Sequence, residues 1–300
     1  MAVSIISDSS ILPAGVEFVV MPRLRPLGGL SVNRVWPIPR RRMVGPFIFF
    51  DHLQRAELAP GRGLDVPPHP HIGLATVTYL FEGELVHRDS LGCTQTIRPG
   101  ELNWMNAGAG IVHSERSSDV ARAGLSYLHG IQSWVALPRS AETSEPSFQH
   151  YPGDDVPLIE SRGVHLRLLA GAGFGARSRV QTLSDLFYVE ADCRSSAGIS
   201  LGAELGERAA YVVSGRVGIE QGEFEAGQLI VFAGHKDIQI RALAASKLML
   251  FGGAPVDGER HIWWNFVASS SERIEQAKQD WRARRFPPVP GDAAYMPAPD

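Results

Sequence analysis

The residues of this chain whose types and spacing could do chemistry are His69-Pro70-His71 and, further along, His113-Ser114-Glu115. Each pair of side chains stands at i, i+2. In an extended strand such side chains point to the same face, so each pair can present two ligand atoms in one direction. Two pairs on neighbouring strands would supply three imidazoles and one carboxylate to a common point. That donor set suits a borderline divalent transition metal with one or two positions left open, and an open site is built for reaction or sensing rather than for holding a fold together. A single His-x-His is more often surface decoration or a hydrogen-bonded core residue; the weight here rests on two matched pairs and their setting.

The elements that must position these residues read as strands. Ala75 to Phe81 alternates, and the second pair follows a Gly-rich turn at Ala107-Gly108-Ala109-Gly110. If one strand runs on from the histidines, their parity carries Val77, Tyr79 and Phe81 inward, with Thr76, Thr78 and Leu80 on the opposite face. Ile111 shares the parity of His113 and Glu115. Across the chain short strands are punctuated by 31 Gly and 21 Pro, a pattern of sandwiches and barrels. The polar stretch Leu137–Arg162 reads as a connection. A weak repeat links Tyr79-Leu-Phe-Glu-Gly83 with Tyr211-Val-Val-Ser-Gly215, and Pro99-Gly100-Glu-Leu-Asn-Trp104 with Ala226-Gly227-Gln-Leu-Ile-Val231. The repeat aligns Leu201 and Ala203 with His69 and His71, so a single metal site is expected, in the first half. His235, the only histidine nearby in the second half, reads as structural or exposed. The domains drawn on this basis are residues 1–140 with the metal, a connector at 141–162, and 163–300 without it.

One helix is expected near the C-terminus. Ser269-Ser-Ser-Glu272 fits a capping box, Ile274, Ala277, Lys278 and Trp281 form one stripe, and Phe286-Pro287-Pro288 ends it. The aromatic run His261-Ile-Trp263-Trp264-Asn265 reads as core or interface packing.

Composition narrows the function classes. With 44% hydrophobic and 20% charged residues, the chain can bury a sizeable core and is not disordered. A net charge of −3 argues against direct nucleic-acid binding, and Arg40-Arg41-Arg42 reads as a solvated face. No apolar run is long enough to span a membrane, and the first fifteen residues lack the pattern of a secretion signal. Cys93 and Cys193 lie far apart with no CxxC partner, so a reducing cytoplasm is the expected location.

Pro68-His69-Pro70-His71-Ile-Gly73, Thr76-Val-Thr-Tyr79, Gly100-Glu-Leu-Asn-Trp104 and Ala107-Gly-Ala-Gly-Ile-Val-His113-Ser-Glu115 resemble the pirin family of the cupin superfamily. Gly45-Pro-Phe-Ile-Phe-Phe50-Asp51-His52, Ile262-Trp-Trp-Asn265 and Arg285-Phe-Pro-Pro-Val-Pro-Gly291 extend the likeness over nearly the whole chain. The resemblance implies an all-β bicupin of two antiparallel β-barrels with a short C-terminal helix. It implies one metal, usually iron, held as Fe(II) by His69, His71, His113 and Glu115. Many metal cupins carry a glutamate four residues after the second histidine; here that position is Ala75, which would leave room beside the metal if the inward parity holds. Family members resemble quercetin 2,3-dioxygenases, which open a flavonol with O2; in that case Glu115 is the base and a small aromatic molecule the substrate. Others resemble non-enzymatic, iron-dependent co-regulators, so both function classes stay open, and the protein partner a co-regulator would need is not legible in the chain.

Overall fold

The computed structural model describes residues 5–6, 12–234 and 236–299. His235 and most of the segment read for a secretion signal lie outside the described residues.

The chain forms two compact units that do not follow chain order. One comprises Leu24–Val32, Asp51–Gly153 and Val256–Asp300; the other comprises Met1–Arg23, Asn33–Phe50 and Asp154–Pro255. The division into 1–140, 141–162 and 163–300 thus differs from the compact units at both chain ends and over Asn33–Phe50. The reason is strand pairing: Val16–Val20 adds to Leu229–Phe232, while the C-terminal tail adds to the histidine strand. The stretch read as a connector is also structured. Within it Ser147–Tyr151 pairs with Leu102–Asn106, and Leu158–Ser161 pairs with Val164–Gly173.

The histidine-bearing unit is built on two sheets. The larger has seven strands, running Ser147–Tyr151, Leu102–Asn106, Leu74–Glu82, Ser126–Ala136, Phe47–Leu58, Leu30–Trp36, Arg23–Leu27, of which Arg23, residues 33–36 and residues 47–50 are counted with the other unit. The smaller has four, running Asp65–His71, Ile111–Arg116, Leu85–Asp89, Thr94–Ile97. Their inward side chains make one core, with Leu53, Leu80 and Leu128 from the larger sheet meeting Val66, Leu85 and Ile97 from the smaller. The other unit repeats this plan, with a nine-stranded and a four-stranded sheet. Leu201, the position aligned with His69, is fully buried in its apolar core beside Val212 and Leu250.

The expected continuous strand through the histidines is broken. Asp65–His71 and Leu74–Glu82 belong to different sheets, and the chain changes sheet at Ile72-Gly73. Gly73 sits at φ +66, and a Cβ there would meet the Val267 carbonyl oxygen at 2.0 Å, so the turn requires glycine. Alternation restarts after it. Thr76, Thr78 and Leu80 therefore take the face shared by Trp134, Gln132 and Gly130 across the ladder, and Leu80 lies in the unit's core. This corrects the expected inward face of Val77, Tyr79 and Phe81. It also removes the room expected at Ala75, which shares the Val77 face.

The helix spans Ser271–Arg282 and buries Ile274, Ala277 and Trp281. Its N-cap is Ser270, whose hydroxyl accepts from the Arg273 N–H, one residue later than the capping box predicted; the Ser269 hydroxyl donates to Glu142 instead. The aromatic run is half-buried, with Trp263 and Trp264 packed against the core cluster of Phe266, Ile274 and Trp281. Phe266 stacks on Phe286 with ring centroids 6.0 Å apart and 3° between planes, and the tail cluster includes Ile72 and Val112. These two follow His71 and precede His113, so the tail supports both histidine strands from behind. Phe266 is fully buried, and Phe266→Ala should cost about 3–5 kcal/mol. Urea unfolding measures it, and a loss below 1 kcal/mol, on the order of a surface change, would contradict the supporting role. No helix among the described residues is long and apolar enough to cross a membrane.

Candidate metal centre

The antiparallel ladder between Asp65–His71 and Ile111–Arg116 sets His113 directly opposite His69, with Ile111 opposite His71. One ring nitrogen from each of His69, His71 and His113 lies within 4.8 Å of the others, and all three residues are buried. Ring centroids are 4.4 Å apart for His69–His113 and 5.0 Å for each of the other two pairs. Trp134 stands edge-on to His71 at 5.2 Å.

The hydrogen bonding leaves nitrogens facing inward. His69 Nδ1 donates to the Pro67 carbonyl at 2.9 Å, which leaves Nε2 with its lone pair. Nε2 of His113 is buried without a hydrogen-bond partner, and the buried His71 ring has at most the Asn265 backbone for one of its two nitrogens. Orphaned buried nitrogens are costly in a protein interior, and a cation shared by the three rings would satisfy them. The donor set therefore fits a divalent transition metal.

Glu115 is placed differently from the spacing rule. The ladder register shifts between His113 and Glu115, so that Glu115 faces Val66 rather than Pro67. The extra residue falls in the Pro67-Pro68 stretch, where neither residue has an N–H for the ladder. Among the described residues the close metal-ligating group is the three histidines, with the Glu115 carboxylate outside it. Its Oε1 lies 3.0 Å from the Thr78 hydroxyl and 3.5 Å from Gln132 Nε2. Thr78 Oγ1 is also 2.7 Å from Gln132 Oε1. One hydroxyl proton serves one acceptor at a time. An ionised Glu115 accepts from Thr78; a protonated Glu115 donates to Thr78, which then donates to Gln132. Both states of the carboxyl are accommodated.

Burial governs the electrostatics. It pushes the His69 imidazole down to about 4, against the pull of the Pro67 carbonyl. His71 and His113 are held well below the usual histidine range, by burial first and then by neighbouring imidazoles. All three are neutral at pH 7, the state a metal needs. Burial raises the Glu115 carboxyl, opposed by His87, Thr78 and Gln132.

Another buried imidazole, His52, lies with its Nε2 2.9 Å from His129 Nε2. Burial and His129 push it down to about 3. In metal-free protein these histidines make the fold acid-sensitive. Unfolded imidazoles titrate near 6.5, so below that pH the unfolded chain binds more protons than the folded one. The stability is complete above pH 6.5 and is lost as the pH falls through about 4 for His69 and about 3 for His52. Glu115 contributes with the opposite sign, as one group against four. Urea midpoints of chelator-treated protein should decline steadily from neutral pH toward pH 4, and a flat profile would contradict the neutral assignment.

Sequence reading passed over His87, Asp89, Thr78, Gln132 and Trp134. His87-Arg88-Asp89 repeats the i, i+2 spacing of the two pairs and lies between them, a signal that was available. The other three became visible only once the strand faces were known.

The chain matches the family model described as Pirin over residues 29–135, and that of the Pirin C-terminal cupin domain over residues 188–287. It is 46% identical to a pirin-like protein of Caulobacter vibrioides over 289 residues, covering 95% of this chain and all of that one. A Pseudomonas aeruginosa protein named as a candidate quercetin 2,3-dioxygenase is 38% identical over 256 residues, covering 85% of this chain and 79% of that one. The crystal structure of a quercetin 2,3-dioxygenase from Acinetobacter baumannii aligns with a TM-score of 0.87 at 32% identity, covering 94% of each chain.

Proposed function

Because the chain belongs to the pirin family, with two cupin domains, we propose that it is an Fe(II)-dependent dioxygenase that opens a flavonol such as quercetin with O2. The observation that carries this reading is the buried three-histidine cluster with a raised, hydrogen-bonded carboxyl beside it. The likeness to the Acinetobacter baumannii enzyme supports the substrate class.

His69, His71 and His113 would hold the ion, with Glu115 as a fourth ligand that is released to act as base. A bound divalent ion supplies a Lewis-acid centre that lowers the pKa of a coordinated hydroxyl. The protein's part is proton handling and orientation. Glu115, made more basic by burial, takes the flavonol 3-hydroxyl proton, and Thr78 with Gln132 holds the protonated carboxyl in place. The electron-rich flavonolate then reacts with O2, and the ring opens with loss of carbon monoxide. Trp134, edge-on to His71, gives the site an apolar wall for a flat aromatic ligand.

Anaerobic addition of quercetin to Fe(II)-loaded protein should red-shift its absorption as the 3-hydroxyl ionises. Admitting O2 should bleach that band, release carbon monoxide and consume one O2 per turnover. Fully iron-loaded protein that neither binds quercetin nor consumes O2 with it would overturn the assignment and favour the co-regulator class.

A further inference from the structure

We propose that Asp89 and His87 form a buried proton-ordering relay that sets the tautomer of His113 and keeps its Nε2 lone pair directed at the metal. This rests on the metal reading of the three-histidine cluster and adds positioning residues to it.

The relay is continuous and buried. Asp89 is fully buried and sits opposite His113 across the ladder between Leu85–Asp89 and Ile111–Arg116. Its Oδ1 accepts from the backbone N–H groups of Leu91 at 2.9 Å and Cys93 at 3.1 Å. That leaves Oδ2 facing His87 Nε2 at 3.0 Å. His87 is 4% exposed, and its ring is stacked on Phe148 with centroids 4.3 Å apart and 15° between planes. Its Nδ1 lies 3.4 Å from His113 Nδ1, the longest link of the chain. His113 Nε2, on the far side of that ring, has no hydrogen-bond partner.

Donor and acceptor accounting orders the protons. The Asp89 carboxylate only accepts, so His87 Nε2 carries a hydrogen. A neutral imidazole has one N–H, which makes His87 Nδ1 an acceptor. It takes the hydrogen of His113 Nδ1, and His113 Nε2 is left bare toward the cluster. With both rings neutral, every other arrangement sets two donors or two acceptors against each other across a buried contact. The hydrogen bond on one ring nitrogen thus decides which nitrogen is left to bind a metal.

Asp89→Asn reverses the relay without changing its shape. Leu91 and Cys93 continue to hold Oδ1, so the new amide NH2 faces His87 Nε2 and donates to it. His87 then carries its hydrogen on Nδ1, and His113 must accept there and protonate on Nε2, which blocks its lone pair. In metal-free protein with 15N-labelled histidine, NMR should find His113 protonated on Nδ1 in the wild type and on Nε2 in Asp89→Asn. Ni(II) titration against a competing chelator should show Kd rising about 10–100-fold in the variant, the range for outer partners of metal ligands. His87→Gln, which keeps an acceptor and a donor, should retain more affinity than His87→Phe, although phenylalanine keeps the stack on Phe148; that order separates proton ordering from packing. A wild-type His113 protonated on Nε2 in metal-free protein, or His87→Phe with wild-type Ni(II) affinity, overturns the relay. Wild-type protein that binds no Ni(II) or other divalent ion overturns the metal reading instead, and the tautomer measurement still judges the relay.

Discussion

His113→Ala should leave the purified protein almost without metal, whereas the wild type should carry one ion per chain. His113 is central to the cluster: it sits opposite His69 in register, its Nε2 has no other partner, and it is 1% exposed. Alanine there removes one of the three imidazoles and leaves only His69 and His71 of the close group. The loss of affinity should exceed the roughly 10–100-fold expected when an outer hydrogen-bond partner is removed. His165→Ala is the matched control. His165 is exposed and paired with Glu160, and its loss should leave metal content unchanged. Elemental analysis of the variants purified in parallel measures both. A His113→Ala protein with full metal content would refute the site.

Turnover should fall steeply in Glu115→Gln. The amide keeps the size of the side chain and an oxygen near Thr78 but cannot take a proton at neutral pH. A general base contributes roughly 10²–10⁴-fold, and kcat for flavonol opening should drop by that range while folding is preserved. The opposing case is clear: a metal-loaded Gln variant turning over quercetin at the wild-type rate removes Glu115 from the reaction. The red shift on anaerobic quercetin binding gives an independent reading, since without the base the flavonol should bind with its 3-hydroxyl largely protonated.

Much of the architecture is local information. Alternating runs and frequent Gly and Pro mark strands and turns because side chains alternate with period two and turns need special backbone angles. The helix over Ser271–Arg282 is legible for the same kind of reason, through a polar cap and a stripe of period 3.6. Its cap lies one residue later than expected because three consecutive serines offer equivalent hydroxyls, and Ser269 is drawn to Glu142, distant in sequence.

The sequence by itself determined the three imidazoles, since two i, i+2 pairs on strands present their ligand atoms in one direction wherever the strands lie. It also determined that the chain folds as short strands around apolar cores. The tertiary structure alone decided which neighbours those imidazoles have. Gly73 moves the chain from one sheet to another and restarts the alternation, so Thr78 rather than Tyr79 meets Glu115. The register shift at Pro67-Pro68 sets Glu115 opposite Val66, and its carboxylate meets Thr78 and Gln132. The ladder between Leu85–Asp89 and Ile111–Arg116 brings Asp89 and His87 behind His113. Each of these outcomes depends on cross-strand register, which is set by packing between residues far apart in the chain, and no local pattern encodes it.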